Sequence, residues 1–282
     1  GGTSRPGPGP LFVLTPLLPL VLGASAAGAP LRAQALPDPA TFTAVLSEVV
    51  TPEGVRYTLL KRRRAGLDRY LELLARTPAG AVEKASKNER LAFWINAYNA
   101  CMLRLVVDHY PIRRNRGLLS RLKNTVADRP ANSVWQIEDV FTRPHCSVAG
   151  ALRSQDEIEH QIIRPMGDPR IHFAVNCAAR SCPPLWPEAY AGPRLDAQLD
   201  RAVRALVRDP RHFRGDPARK VVRLNKVMDW FKEDFGGEEG LRTFLAPYAP
   251  PPAAALLRDP ATRIEFFDYD WTLNDVDAQP GS

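Results

Sequence analysis

Long apolar runs are nearly absent from this sequence, and cysteine, histidine and methionine are scarce. The one extended apolar stretch, Leu11 to Leu22, is broken by Pro16 and Pro19 and falls short of the roughly twenty residues that span a bilayer. No later segment is long and apolar enough to do so, which predicts no membrane span once the leader is removed. Long blocks of basic charge are missing too. The basic stretches Lys61 to Arg64, Arg113 to Arg116 and Arg201 to Arg219 are short and scattered, and the last has acids interleaved. A net charge of +7 without an aromatic and basic binding motif reads as a solvated Arg-rich surface, so no nucleic-acid partner is expected. No internal repeat is present.

The sequence does contain enough apolar residues, 45% of 282, to build a substantial core. Its first part is distinct. Arg5, the apolar run and the triplets Ala24-Ser25-Ala26 and Ala33-Gln34-Ala35 read as a secretory signal peptide, or as a disordered Pro/Ala-rich leader, over residues 1–35. Export implies a secreted or periplasmic protein in an oxidising compartment.

A single domain is expected over 40–275, with a frayed tail at 276–282. Two helical patterns occupy Ala40 to Leu74. Ser86-Lys87-Asn88-Glu89 is a capping box, and the helix it opens should run to about His109, ahead of Tyr110-Pro111. That helix is apolar nearly all round, which makes it a central one. Asn96 and Asn99, three apart on it, must then find buried hydrogen-bond partners. Leu118 to Pro130 reads as a basic connector, and "SVWQIEDVF" and "CSVAGAL" as short strands. A second capping box, Ser154 to Glu157, opens the helix "SQDEIEHQIIRP", and Ile171 to Cys177 alternates like a strand. Helical patterns return at Leu195 to Val207, "VMDWFKEDF", Glu238 to Leu245 and Ala253 to Arg258, before a strand-like "RIEFFDYDW". Helices first and short strands later give an α+β fold: a buried central helix, further helices and a small mixed or antiparallel sheet.

Two places carry chemistry-bearing residues. On the second capped helix, a turn of about 100° per residue puts Glu159 within the arc of Ile158, Ile162 and Ile163. A carboxylate facing the core either holds a structural partner or belongs to a site. His160 lies at the edge of that arc. In "HFAVNCAARSCP", His172 and Asn176 share the face opposite Cys177, and Cys182 follows a short loop, with Ser181 before it and Pro183 behind. Four states remain open for Cys177 and Cys182: a disulfide, zinc ligands, a reactive thiolate assisted by histidine, or inert buried thiols. Cys101 reads as core, and Cys146 as a loop or strand thiol.

Four motifs, "FWINAYNA" (93–100), "IEHQIIR" (158–164), "DPRIHFAVNCAARSCPPL" (168–185) and "YDWTLND" (269–275), in that order, resemble the family called domain of unknown function 547. The resemblance covers most of the chain from about Lys87 onward. It implies that Trp94, Asn96, Tyr98, Asn99, Glu159, His160, Arg170, His172, Cys182 and Pro183 belong to the family's shared motifs. The glutaredoxin-like modules found beside this domain in some members imply thiol or peptide-like substrates.

The expectation from these residues is an exported thiol hydrolase or transferase acting on an amide or thioester bond of a small peptide-like or thiol substrate. Cys182, or else Cys177, is the nucleophile, His160 or His172 the base, and Glu159 or Asn96 the orienting group. Backbone amides from Ala178 to Cys182 would receive the oxyanion. Trp94, Tyr98, Asn99, Arg170 and Ser181 would bind substrate, with no cofactor and no resident metal. One competing reading is a non-catalytic periplasmic binding or scaffold module with a Cys177–Cys182 disulfide. The other is a metal-dependent hydrolase using Glu159, His160 and His172.

Overall fold

Asp38 starts the first helix, α1 (Pro39–Val49), by accepting from the Ala40 amide, while Pro39 sits where no donor is required. The computed structural model describes residues 35–127 and 129–278, so all but the last residue of the expected leader lies outside the described residues. A minimal hairpin, β1 (Val50–Thr51) and β2 (Gly54–Val55), leads to α2 (Tyr57–Arg62), α3 (Ala65–Arg76) and α4 (Ala79–Lys84). The central helix α5 (Lys87–His109) then begins at the expected capping box. Ser86 accepts from the Glu89 amide, and the Glu89 carboxylate accepts from the Ser86 amide. Every residue from Leu91 to Leu103 is buried, so α5 has no wet face along this stretch.

Beyond α5 the chain forms α6 (Leu118–Val126), a 3-10 turn at Val134–Gln136 and a hairpin of β3 (Cys146–Val148) and β4 (Ala151–Arg153). "SVWQIEDVF" is therefore not a strand. Ser133 accepts from the Trp135 amide, and Gln136 is tied by its side chain to Asn115, Asn124 and Pro130. These local polar bonds replace a strand ladder.

The expected helix after Ser154 is present, with the Ser154 hydroxyl accepting from the Glu157 amide, but it widens into a π-helix over Glu157–Ile163. Ile158 and Ile163, five apart, are fully buried, and Ile162 is only partly so. That is the spacing of a wider turn, not of the α-helix assumed from the sequence. Ile171 to Cys177 is not a strand either. Pro169–Phe173 is a 3-10 helix, started by the Asp168 carboxylate accepting from the Arg170 amide.

The second half supplies α7 (Leu195–Leu206), β5 (Phe213–Asp216), β6 (Val221–Leu224), α8 (Val227–Trp230), a 3-10 turn Lys232–Phe235, α9 (Gly237–Leu245), α10 (Pro251–Arg258) and β7 (Arg263–Phe266). The sheet is small and mixed as expected, with order β5-β6-β7. Phe213 stands opposite Leu224 in its antiparallel half and Val221 beside Arg263 in its parallel half. One apolar cluster surrounds α5, and a second lies under this sheet, with Trp186 packed against both. The architecture is α+β.

After β7 the chain runs extended across the molecule. Thr272 and Asp270 carbonyls accept from the Arg180 and Ser181 amides, the Asn274 carbonyl accepts from Val55, and Val276 donates to the Val55 carbonyl. Gly54 permits this approach. Its φ is +149°, and a Cβ there would stand 2.2 Å from the Asn274 carbonyl oxygen. The frayed tail expected from 276 is corrected in part: Val276 is paired, and the Asp277 carboxylate accepts from the Thr58 amide. Residues 279–282 lie outside the described residues.

Candidate functional site

Two buried amides on α5 determine where the loops that carry the site run. The Asn96 side chain donates to the Tyr190 carbonyl at 2.8 Å and accepts from the Tyr190 amide at 2.9 Å. One turn on, Asn99 donates to the Ala174 carbonyl at 3.0 Å and accepts from the Asn176 amide at 2.9 Å. Each amide acts as one rung of a ladder for an irregular segment that has no strand partner. Asn176 continues the relay, donating to the Pro183 carbonyl and accepting from Ala178 and Asn274. Asn96 and Asn99 thus position these segments, and among the described residues the hydrogen-bond partners of their side chains include no imidazole.

These clamps leave a cavity of about 240 Å³. Its polar groups are Tyr98 from α5, Glu159 from the π-helix and His172 from the 3-10 helix. Cys177 and Cys182 form part of its wall. Trp135, Phe141, Trp230, Phe231, Tyr269 and Trp271 form most of the rest. The Trp271 ring is 5.1 Å from Trp135, 4.6 Å from Tyr269 and 5.8 Å from Trp230, a contiguous aromatic surface. Among the described residues no Lys or Arg lines the cavity, although the chain as a whole carries +7.

Glu159 is half-buried as a residue, but its carboxyl is withdrawn from water. Burial raises its pKa to about 7, opposed by the Tyr98 hydroxyl bonded to it and aided by the charge of Asp156. His172 Nε2 lies 2.8 Å from Asp234 Oδ2, and Arg164 grips the same carboxylate at 2.7 and 2.8 Å. Arg164 is the main reason that Asp234 is lowered to about 2, and burial lowers His172 to about 4 despite Asp234. An ionised Asp234 only accepts, so the His172 proton resides on Nε2. Its Nδ1 is buried and has no partner among the described residues. Phe231 stacks on the ring at 4.1 Å, fixing its plane.

The two cysteines of the opening motif form a disulfide, Cys177–Cys182, and the other two form Cys101–Cys146, so no thiol is free among the described residues. Cys101 is core, as expected, and Cys146 lies on β3; the Cys101–Cys146 bond between them was not expected. In this state neither Cys177 nor Cys182 can act as a nucleophile, because each sulfur is already bonded. The Tyr269 hydroxyl donates toward both sulfurs, at 3.2 and 3.1 Å, and the Cys177 amide donates to Cys182 Sγ. Four of the five expected oxyanion donors are engaged: the Ala178, Arg180, Ser181 and Cys182 amides donate to Asn176, Thr272, Asp270 and Ala179.

Other expected site residues lie apart from the cavity. His160 is exposed, with Nδ1 at 3.1 Å from Arg164, which leaves His172 as the only histidine lining the cavity among the described residues. Trp94 is buried against Phe93, with Arg153 over its ring. Arg170 binds Asp168, Asp196 and Asp200, fastening the 3-10 helix to α7. The Ser181 hydroxyl accepts from the Asp270 amide. Glu159, His160 and His172 do not converge, and no three His, Cys, Asp or Glu side chains among the described residues could hold a metal. Asp234, Trp135 and Trp230 were not singled out from the sequence, and Tyr269 and Trp271 entered only within the "YDWTLND" motif, although their period-two spacing signals a shared face.

No curated protein and no solved structure matches the chain. A family model described as "Protein of unknown function, DUF547" matches residues 82–207, a span that includes Glu159, His172 and both cavity cysteines but ends before Asp234 and the "YDWTLND" motif. Over that segment the chain is similar to the domain of unknown function 547 family, in line with the resemblance of its motifs.

Proposed function

We propose that the Glu159 cavity is a binding site for a small organic cation with an apolar body, such as an alkylammonium. The carrying observation is a carboxyl set in an aromatic enclosure that no Lys or Arg of the described residues lines. Aromatic faces attract cations, and they do so more strongly where water is excluded. A carboxylate at the same place completes the pairing, and a bound cation would draw Glu159 from its raised pKa toward the ionised form. Two disulfides among four cysteines support an oxidising, exported setting, as the leader suggests.

The test uses the three cavity tryptophans. Choline is titrated against intrinsic fluorescence beside its neutral isostere, 3,3-dimethylbutan-1-ol. The expected result is binding of choline about tenfold tighter than the alcohol, with Glu159→Gln removing most of the difference. Equal responses to cation and alcohol would sink the proposal.

A second reading, a cysteine-dependent hydrolase or transferase on a peptide-like or thiol substrate, is favoured by one fact: Cys177, Cys182, His172 and Glu159 share a single cavity. It requires reduction of Cys177–Cys182. Iodoacetamide labelling of the native protein after mild reduction decides it. Fast alkylation of Cys182 near neutral pH supports this reading, and a rate no higher than that of free cysteine removes it.

A further inference from the structure

Helix α6 stands out from the rest of the surface. Leu118 and Leu119 are the most exposed large apolar side chains among the described residues, at 74% and 75%, and Leu122 follows at 58%. With Leu118 taken as origin and about 100° per residue, Leu122 falls near 40° and Leu119 near 100°. All three occupy one narrow stripe. Arg121, near 300°, and Lys123, near 140°, border the stripe on its two sides. Asn124, near 240°, points the other way, where it is buried and donates to Gln136 at 2.8 Å. The attachment of the helix thus determines its orientation: the face opposite the leucines is fastened to the domain, so the leucines face solvent.

The charge of the segment that carries this stripe has one sign. Tyr110 to Ala127 contains Arg113, Arg114, Arg116, Arg121 and Lys123 and no Asp or Glu, and all five basic side chains are exposed. Asn115 holds the preceding segment to the same Gln136, through its amide at 2.8 Å and its side chain, so the arginines are carried on a tethered loop beside the helix.

We propose that α6 docks this domain on an anionic phospholipid surface, with Leu118, Leu119 and Leu122 inserted at the headgroup boundary. The surface offered is a convex ridge of one helix, not a groove that could receive a partner helix or strand. An apolar ridge bordered by cations on both sides matches a bilayer whose acyl region lies beneath negative headgroups. Long basic side chains at the edges of the stripe can reach the phosphates while their stems lie along the apolar boundary. The contact is peripheral: no helix of the described residues is long and apolar enough to cross a membrane.

The test is flotation of the full chain with vesicles of phosphatidylcholine alone and with roughly a third phosphatidylglycerol. Binding is expected on the mixed vesicles, weakened by high salt, and slight on phosphatidylcholine. A variant with Leu118, Leu119 and Leu122 all changed to Ser is expected to lose at least about tenfold in partitioning. Replacing Arg113, Arg114 and Arg116 with Gln is expected to remove most of the preference for the anionic lipid. Because other parts of the full chain can also meet lipid, a local probe is included. Leu119→Trp is expected to add a blue-shifted emission component on mixed vesicles that brominated acyl chains quench. Unchanged thermal unfolding of the variants shows that the fold is intact. No binding to mixed vesicles, binding that the triple-Ser variant retains in full, or added emission from Leu119→Trp that ignores the vesicles would each overturn the proposal.

Discussion

His172 and Asp234 meet through Nε2 and Oδ2 at 2.8 Å, and this contact determines which nitrogen of the ring carries the proton. Asp234 comes from the turn after α8 and reaches the ring ionised, its charge paired with Arg164. The imidazole is therefore held neutral and oriented, with Nδ1 left bare in a buried position.

His172 is expected to be an uncharged Nε2–H tautomer at pH 5, where an ordinary histidine is protonated. Its folded pKa is about 4 against 6.5 when free, so the unfolded chain takes up the proton first as pH falls. This residue's contribution to stability is complete above pH 6.5 and is lost progressively toward pH 4. Nitrogen-detected NMR of the ring checks the point. An imidazolium signal for His172 at pH 5 would contradict it.

Glu159 works in the opposite direction. Its folded pKa, about 7, lies above the ordinary 4.5, so the folded state holds the proton more tightly. The cost of ionising it grows as pH rises from 4.5 to 7 and is constant above that. The stability of Glu159→Gln relative to wild type is expected to rise across that window, by no more than about 3.5 kcal/mol. Denaturant titrations at several pH values measure it, and a difference that does not vary with pH would refute the raised pKa.

Asn99→Ala is expected to destabilise by about 2–4 kcal/mol, since it leaves the Ala174 carbonyl and the Asn176 amide buried without partners. Asn96→Ala should behave alike through Tyr190. Urea unfolding gives the numbers. A loss under about 1 kcal/mol would show that these loops do not depend on their clamps.

The two disulfides should differ in what they contribute. Cys101–Cys146 closes a separation of 45 residues and Cys177–Cys182 one of 5, which on chain entropy alone corresponds to about 4 and about 2 kcal/mol. Melting temperatures of the two double-Ala variants should fall in that order. Alkylation followed by intact mass should find no free thiol before reduction.

The extent to which the sequence could be read varied with the range of the forces involved. The Ser86–Glu89 box and the burial of α5 were legible because capping and all-round apolarity are local properties. The strand expected over Ile171 to Cys177 was not borne out, because alternation fixes faces only when a neighbouring strand offers a ladder. Here Asn99 supplies the hydrogen bonds instead, and Asp168 with Pro169 turns the chain into a 3-10 helix. The inward turn of Glu159 was visible in its apolar neighbours, although the wider π-helical turn was not.

The sequence by itself determined the central helix, its cap, the α+β composition and the presence of an acid, an imidazole and two sulfurs in separate motifs. Only the tertiary structure decided that His172 and not His160 lines the cavity, that Asp234 is its partner 62 residues away, and that the four sulfurs pair. Helix formation depends on neighbours a few residues apart, which a sequence displays directly. The convergence of side chains depends on how loops cross the core, and here that path is set by buried amides whose partners lie 75 to 94 residues away.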